Sequence, residues 1–188
     1  MNGRGLVVIA LGGNAILQPG QRGTAQEQLE NVRATCRQIA SLLDEGYRIV
    51  LTHGHTDHFG NAAWVAARSG AQIFAHPSDR PKFAGDRWVI EHLRQHFLAA
   101  GLPESFLATF TDRMRAMRHL FDAIPEFQPI NDGDGLDLDR SRLRVLHCPG
   151  HSLGHICLYH DDGILIAGDL LLEEISPNPI VEFDERGA

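Results

Sequence analysis

Four side chains that commonly bind metal ions lie within six residues of one another. They are His53, His55, Asp57 and His58. Because one residue separates His53 from His55, both imidazoles can face one ion, whereas Asp57 and His58 begin the next turn and can face a second ion nearby. Zinc is the first choice for such a set of nitrogen and carboxylate ligands, and iron or manganese would also accept it. The segment therefore predicts a transition-metal site.

The flanking segments place these side chains at the end of a strand. Residues 47–51 form a short apolar, β-branched run that is typical of a buried strand. Residues 59–67 favour a helix. The candidate ligands thus follow the carboxyl end of a strand, which is where open α/β sheets hold their sites.

Three motifs, spread over residues 48–175, resemble those of the metallo-β-lactamase superfamily. They are His53-X-His55-X-Asp57-His58, then residues 147–155 with His151 after Pro149-Gly150, and then residues 164–169, which end in Gly168-Asp169. The resemblance implies an α/β fold of the αββα sandwich type. It also implies that His151 and Asp169 are further metal ligands.

Two metal sites follow from this resemblance. The His-X-His pair and His151 would hold the first ion, with Asp169 in reach. Asp57 and His58 would hold the second ion, with Asp169 as the bridge. The family adds one more His to the second site, but this sequence has no His after His160. We therefore expect one or two Zn²⁺ ions, with the second bound more weakly, and a fold truncated at its C-terminus relative to the family.

The N-terminal segment, residues 5–54, resembles carbamate kinase of the amino-acid-kinase family instead. The resemblance is carried by residues 8–15 with their Gly12-Gly13-Asn14 loop, by Gly23-Thr24, by residues 28–32 and by residues 49–54. Local patterns predict a strand at 6–11, a helix opened by a Thr24–Glu27 capping box and a strand at 47–52. These elements form a βαβ unit with parallel strands. The Gly-Gly-Asn loop by itself is better explained as an ordinary turn than as a phosphate site.

The remaining elements complete a single domain of residues 1–188. A kinase-like segment, 1–54, precedes a metallo-β-lactamase-like core, 55–175, with a helical insertion at 86–121 that breaks at residues 101–103. Residues 176–188 are expected to be a loosely held tail. Strands are predicted at 71–76, 127–130, 136–138, 143–147, 156–159 and 164–167, the last two joined by the hairpin turn 161–163.

Other side chains can be weighed as site residues. His92 and His96 have the i, i+4 spacing of a ligand pair, but no Glu lies between them as a base, so we expect a partly exposed pair. His76 is expected to be a polar strand end, and His155 to support a ligand rather than bind metal. Cys148, beside a proline, is expected to be buried rather than nucleophilic.

Composition argues against several classes of function. The net charge of −7 and the lack of a Lys/Arg cluster argue against a nucleic-acid groove. Three cysteines make no disulfide framework and suit a reducing compartment. No signal-type leader and no apolar run of membrane-spanning length is evident. We expect a cytoplasmic protein that binds a small molecule and no membrane; the sequence leaves a homo-oligomer open.

The metallo-β-lactamase resemblance implies the reaction. A bound metal lowers the pKa of a coordinated water towards about 7. The hydroxide would attack an ester, thioester or amide carbonyl, with Asp57 orienting the water, and the middle motif resembles that of glyoxalase II. We therefore expect a zinc-dependent hydrolase. Two alternatives remain: a metal-binding fragment or chimera with little activity, and a carbamate-kinase-like phosphate-binding module.

Overall fold

A computed structural model describes residues 18–40, 47–84, 87–117, 122–138, 141–172 and 176. Its α-helices are α1 Ala25–Ala40, α2 Thr56–Phe59, α3 Ala62–Ser69, α4 Arg80–Ala84, α5 Arg87–Ala99 and α6 Glu104–Met117. Its strands are β1 Ile49–Val50, β2 Ile73–Ala75, β3 Gln128–Pro129, β4 Gly135–Asp137, β5 Arg142–His147, β6 Ile156–His160 and β7 Ile164–Ile166. The predicted strand at 6–11, the Gly-Gly-Asn loop and nearly all of the predicted tail lie outside the described residues.

The first sheet consists of β1, β2 and β3, all parallel. Side chains alternate between its two faces, as the pleat of a strand requires. Ile49 and Ile73 pack towards the helices, whereas Val50 and Phe74 pack towards the second sheet. The parallel strand predicted at 71–76 is confirmed, although it is shorter than expected.

Helices α2 to α4 cover the outer face of the parallel sheet. Phe59 from α2 and Phe83 from α4 are almost fully buried there, and the Phe83 ring meets the rings of Phe59 and Phe127 edge to face, each at 5.3 Å between centroids. Such aromatic burial contributes a large share of core stability. This cluster holds the C-terminal end of α2, the short helix that carries two of the candidate ligands.

The second sheet is antiparallel, in the order β4-β5-β6-β7. Its inner face carries the buried side chains of Leu143, Val145, Ile156 and Leu158. Arg142 and Arg144, which alternate with these, are exposed. The antiparallel strands and the hairpin at 161–163 are confirmed. Helices, parallel sheet and antiparallel sheet are therefore three layers of the expected αββα sandwich.

Two local predictions about helices can also be compared with the structure. The capping box is present, because Glu27 Oε2 accepts the Thr24 N–H at 2.9 Å and Thr24 Oγ1 accepts the Glu27 N–H at 3.3 Å.

The insertion forms α5 and α6, and Gly101 between them adopts a φ of 88°, which favours glycine. Within the described part of the chain, each helix is too short or too polar to cross a membrane.

Candidate metal centre

Three loops, drawn from both sheets, converge on one site. Residues 51–55 link β1 to α2, residues 148–155 link β5 to β6, and a single 3₁₀ turn, Gly168–Leu170, follows β7. Backbone bonds tie the loops together, since the Ile156 N–H donates to Thr52 O at 2.8 Å. The Asp169 N–H donates to His155 Nε2 at 3.2 Å. The site therefore depends on how the two sheets pack.

The first group of candidate ligands consists of His53, His55 and His151. Their ligand atoms all lie within 4.8 Å of one another. The ring centroids are 4.6 Å apart for His53 and His55, 4.9 Å for His53 and His151, and 4.5 Å for His55 and His151. Three imidazoles at this spacing match the protein ligands of a catalytic zinc site, which keeps a further position open.

A second group consists of His53, His58 and Asp169, again within 4.8 Å of one another. Asp169 Oδ2 lies 3.2 Å from His58 Nε2 and 3.6 Å from His151 Nε2. The carboxylate thus stands between the two groups, where a bridging ligand would stand. His53 belongs to both groups.

Asp57 lies at the edge of the site and belongs to neither group. Its side chain is 77% exposed, and Oδ2 lies 3.7 Å from His58 Nε2. This position leaves the carboxylate open to solvent, beside the second group of ligands.

The environment of His53 fits a cation. The side chain is 1% exposed, and its Nε2 has no hydrogen-bond partner among the described residues. Burial, followed by the neighbouring His58 and His55, lowers the pKa of His53 far below its ordinary value. A neutral imidazole whose Nδ1 hydrogen-bonds to Thr52 Oγ1, 3.1 Å away, directs the Nε2 lone pair into the site. A buried polar atom without a partner is costly, and a metal ion would satisfy it.

His155 lies behind the ligands. It is fully buried, and its Nε2 accepts a hydrogen bond from the backbone of Asp169. Burial, followed by His151, lowers the pKa of His155 to about 4. The imidazole is therefore neutral at physiological pH and holds the turn that carries Asp169.

Two further histidines join the sheets beside the site. The ring of His76, at the end of β2, stacks on the ring of His147, at the end of β5, with centroids 3.9 Å apart. His76 Nδ1 also accepts the Ser78 N–H at 3.3 Å. His76 is thus a buried strand-end residue that caps the following turn.

Sequence reasoning missed Asp79, a buried carboxylate between the ligand-bearing loops. It accepts hydrogen bonds from the Gly54 N–H, the Ser152 hydroxyl and the Gly154 N–H. One signal could have revealed it: Asp79 follows β2, and the carboxyl ends of neighbouring parallel strands meet at one edge of the sheet.

The fold and the His-rich site resemble those of metallo-hydrolases. The family model of the metallo-beta-lactamase superfamily matches residues 7–185, so the chain belongs to that superfamily. A solved metallo-beta-lactamase family protein from Thermus thermophilus is 31% identical, with a TM-score of 0.65 over 85% of this chain and 51% of that one. The resemblance seen in the three motifs and the α/β fold class are thereby confirmed.

Two curated relatives match different stretches of the chain. Carbamate kinase from Thermococcus kodakarensis is 50% identical over 80 residues, which are 42% of this chain and 25% of the kinase. Hydroxyacylglutathione hydrolase GloC from Haemophilus influenzae is 27% identical over 161 residues, 85% of this chain and 61% of the hydrolase. The chain thus spans a quarter of the kinase and less than two thirds of the hydrolase.

The kinase similarity covers the N-terminal ~80 residues and confirms the second resemblance. It therefore extends beyond residue 54, the predicted end of this resemblance.

Proposed function

We propose that this chain is a metal-dependent hydrolase that cleaves an ester or thioester of a small molecule. The observation that carries the proposal is the convergence of His53, His55 and His151. The buried Nε2 of His53, at its centre, has no hydrogen-bond partner in the described part of the chain. Membership of the metallo-beta-lactamase superfamily and similarity to a protein named hydroxyacylglutathione hydrolase support the choice of reaction.

The proposal assigns a role to each side chain. His53, His55 and His151 would hold the first ion, and His58 and Asp169 would hold a second ion or orient the first. Zinc suits this set best, with iron or manganese as further candidates. When bound, the metal lowers the pKa of a coordinated water and polarises the carbonyl.

Asp57 is proposed to act on the proton of the attacking water. Its carboxylate is open to solvent and lies beside His58. An acceptor at the edge of the site can take up a proton and release it to bulk water. The Asp169 carboxylate, which stands between His58 and His151, would fix the orientation of both imidazoles through its contacts with them.

The test pairs metal content with turnover. The full chain, purified without chelator, is assayed with a hydroxyacylglutathione thioester and with p-nitrophenyl acetate. We expect turnover that a chelator abolishes and that Zn²⁺, Fe²⁺ or Mn²⁺ restores. His151→Ala should lose both metal and turnover, whereas His96→Ala, on the helical insertion, should keep both.

The result that would overturn the proposal is a chain that binds metal stoichiometrically and hydrolyses neither substrate. A metal-binding protein with little activity would then be the better description. His53 belongs to both ligand groups, and one imidazole nitrogen can coordinate only one ion. This sharing favours a metal-binding protein with little activity as the second candidate function.

A further inference from the structure

Asp79 is a buried carboxylate between the ligand-bearing loops. It ends the 3₁₀ turn Pro77–Asp79 after β2 and is 1% exposed. Carboxylates are seldom fully buried unless they are paired or fully hydrogen-bonded, because desolvation of the charge is costly. The hydrogen-bond donors to Asp79 therefore indicate its role.

The partners come from two loops that are distant in sequence. Asp79 Oδ2 accepts the Gly54 N–H at 2.6 Å and the Ser152 hydroxyl at 2.7 Å, and Oδ1 accepts the Gly154 N–H at 2.9 Å. Lys82 Nζ, on the following helical turn, lies 3.6 Å from Oδ1. Hydrogen bonds to an ionised acceptor are about twice as strong as neutral ones.

These donors directly flank candidate metal ligands. Gly54 separates His53 from His55, and Ser152 follows His151. One carboxylate thus bonds to the backbone between the first two imidazoles and to the side chain next to the third. Asp79 therefore links the two loops, in addition to the backbone bond from Ile156 to Thr52.

The two glycines provide an independent observation. A Cβ at Gly154 would lie 2.6 Å from Asp79 Cγ, and a Cβ at Gly54 would lie 3.0 Å from Asp79 Cβ. Neither glycine has a positive φ, so conformational freedom does not explain them. Each loop presents a residue without a side chain so that its backbone can approach the carboxylate.

We infer that Asp79 is a positioning residue that locks the His53–His55 loop and the His151 loop into the geometry that binds metal. The inference rests on the proposed metal-dependent function and assigns that site a supporting carboxylate. Loss of a residue that orients metal ligands typically weakens metal binding by about 10- to 100-fold.

The experiment is a Co²⁺ titration of the metal-free full chain, followed by visible absorption. The Co²⁺ ligand-field bands report coordination geometry as well as affinity. Asp79→Asn keeps the size of the side chain but removes one acceptor oxygen and the charge. We expect it to bind Co²⁺ about 10- to 100-fold more weakly, with shifted bands.

Asp134→Asn is the matched control. Asp134 also accepts a backbone N–H, that of Asn131 at 2.8 Å, but in an exposed turn away from the ligands. We expect wild-type affinity and bands from this variant. If Asp79→Asn does not fold, Ser152→Ala replaces it, because this change removes the Ser152 hydroxyl bond to Asp79 and leaves the bond from the Gly154 N–H in place. We then expect a weakening of up to about tenfold.

The outcomes separate the two claims. Wild-type chain that binds no Co²⁺ overturns the proposed function and this inference together. Wild-type chain that binds Co²⁺, with Asp79→Asn and Ser152→Ala equal to it in affinity and spectrum, overturns the inference alone. Weaker binding without any shift of the bands would also contradict it, since a positioning role requires altered geometry.

Discussion

The two sheets contribute to the metal centre in different ways. The parallel sheet supplies its ligands from one continuous stretch, since His53, His55 and His58 all follow β1. The antiparallel sheet supplies His151 from the β5–β6 loop and Asp169 from the turn after β7. One contribution is local in sequence, and the other exists only once three strands have paired.

The difference teaches how such a site is assembled. The local cluster can be recognised from six residues, but it offers at most a partial set of ligands. The rest arrives through the packing of Val50 and Phe74 on the antiparallel sheet and through the bond from Ile156 to Thr52. Metal binding should therefore depend on ligands from both sheets.

The largest expected effect is loss of metal when either sheet loses a ligand. His53→Ala removes a ligand of the parallel sheet, and His151→Ala removes one of the antiparallel sheet. Each leaves two imidazoles in the first group, too few to hold zinc tightly. After dialysis, elemental analysis should show metal near background for each variant and near wild type for His96→Ala. Full metal retention in the double variant would show that the site lies elsewhere.

The next largest effect concerns the cores on either side of the parallel sheet. Phe83→Ala, among the helices, should lower the free energy of unfolding by about 3–5 kcal/mol, and Ile156→Ala, between the sheets, by about 2–5 kcal/mol. Both side chains are completely buried. Urea unfolding of the metal-free chain measures both, and Phe106→Ala, at a side chain 53% exposed, is the control with an effect of about 0.5 kcal/mol.

The shape of the unfolding curve sharpens the comparison. If the two sheets form one cooperative unit, both variants shift one transition and leave its slope unchanged. Two transitions, each moved by only one of the variants, would show that the sheets unfold separately and that the metal centre joins two independent parts.

The sequence alone could predict much of the site. The three motifs identified His53, His55, His58, His151 and Asp169, all of which the structure brings together. The residues around each motif also predicted the strands that carry them. Asp57, by contrast, lies outside both ligand groups, because its side chain points to solvent from the first turn of α2.

The sequence predicted that His155 would support a ligand, but it could not predict the carboxylate that links the ligand-bearing loops. The partners of Asp79 are 25, 73 and 75 residues away in the chain, so no local pattern marks them. The stacking of His76 on His147 likewise joins two strand ends that only tertiary packing brings together. Long-range pairing of this kind has no periodicity to detect.

A smaller effect is expected at the second group of ligands. His53 is needed by both groups, and one imidazole nitrogen can bind only one ion. We therefore expect metal content nearer one than two ions per chain at micromolar metal, rising as metal is added. His58→Ala should leave the first ion in place and reduce this additional uptake.

Isothermal titration of the metal-free chain would separate a first, tight site from a second, weaker one. Two ions retained per chain after extensive dialysis would contradict the prediction. A ligand beyond the two groups would then complete the second site, and Asp57, beside His58, would be the first residue to replace.

The smallest expected effect is a pH dependence of stability from the contact between His76 and His147. Burial, followed by the charge of His147, lowers the pKa of His76, while Asp79 and Asp132 oppose the shift. The unfolded chain takes up a proton on His76 below its ordinary pKa of about 6.5, but the folded chain takes it up only at a lower pH. The contribution of neutral His76 to the free energy of unfolding is therefore fully present above the ordinary pKa. It is lost progressively as the pH falls below it.

His76→Asn removes the titration while retaining a side-chain acceptor for the Ser78 N–H, as asparagine is a good N-terminal cap. Urea unfolding of the metal-free chain between pH 7 and pH 5 should show a shallower loss of stability in this variant than in wild type. The comparison of slopes matters because His53 and His155 also have lowered pKa values and add to the same trend in both proteins. Equal slopes would mean that protonation of His76 does not change the free energy of unfolding. The contact between His76 and His147 would then tolerate the charge.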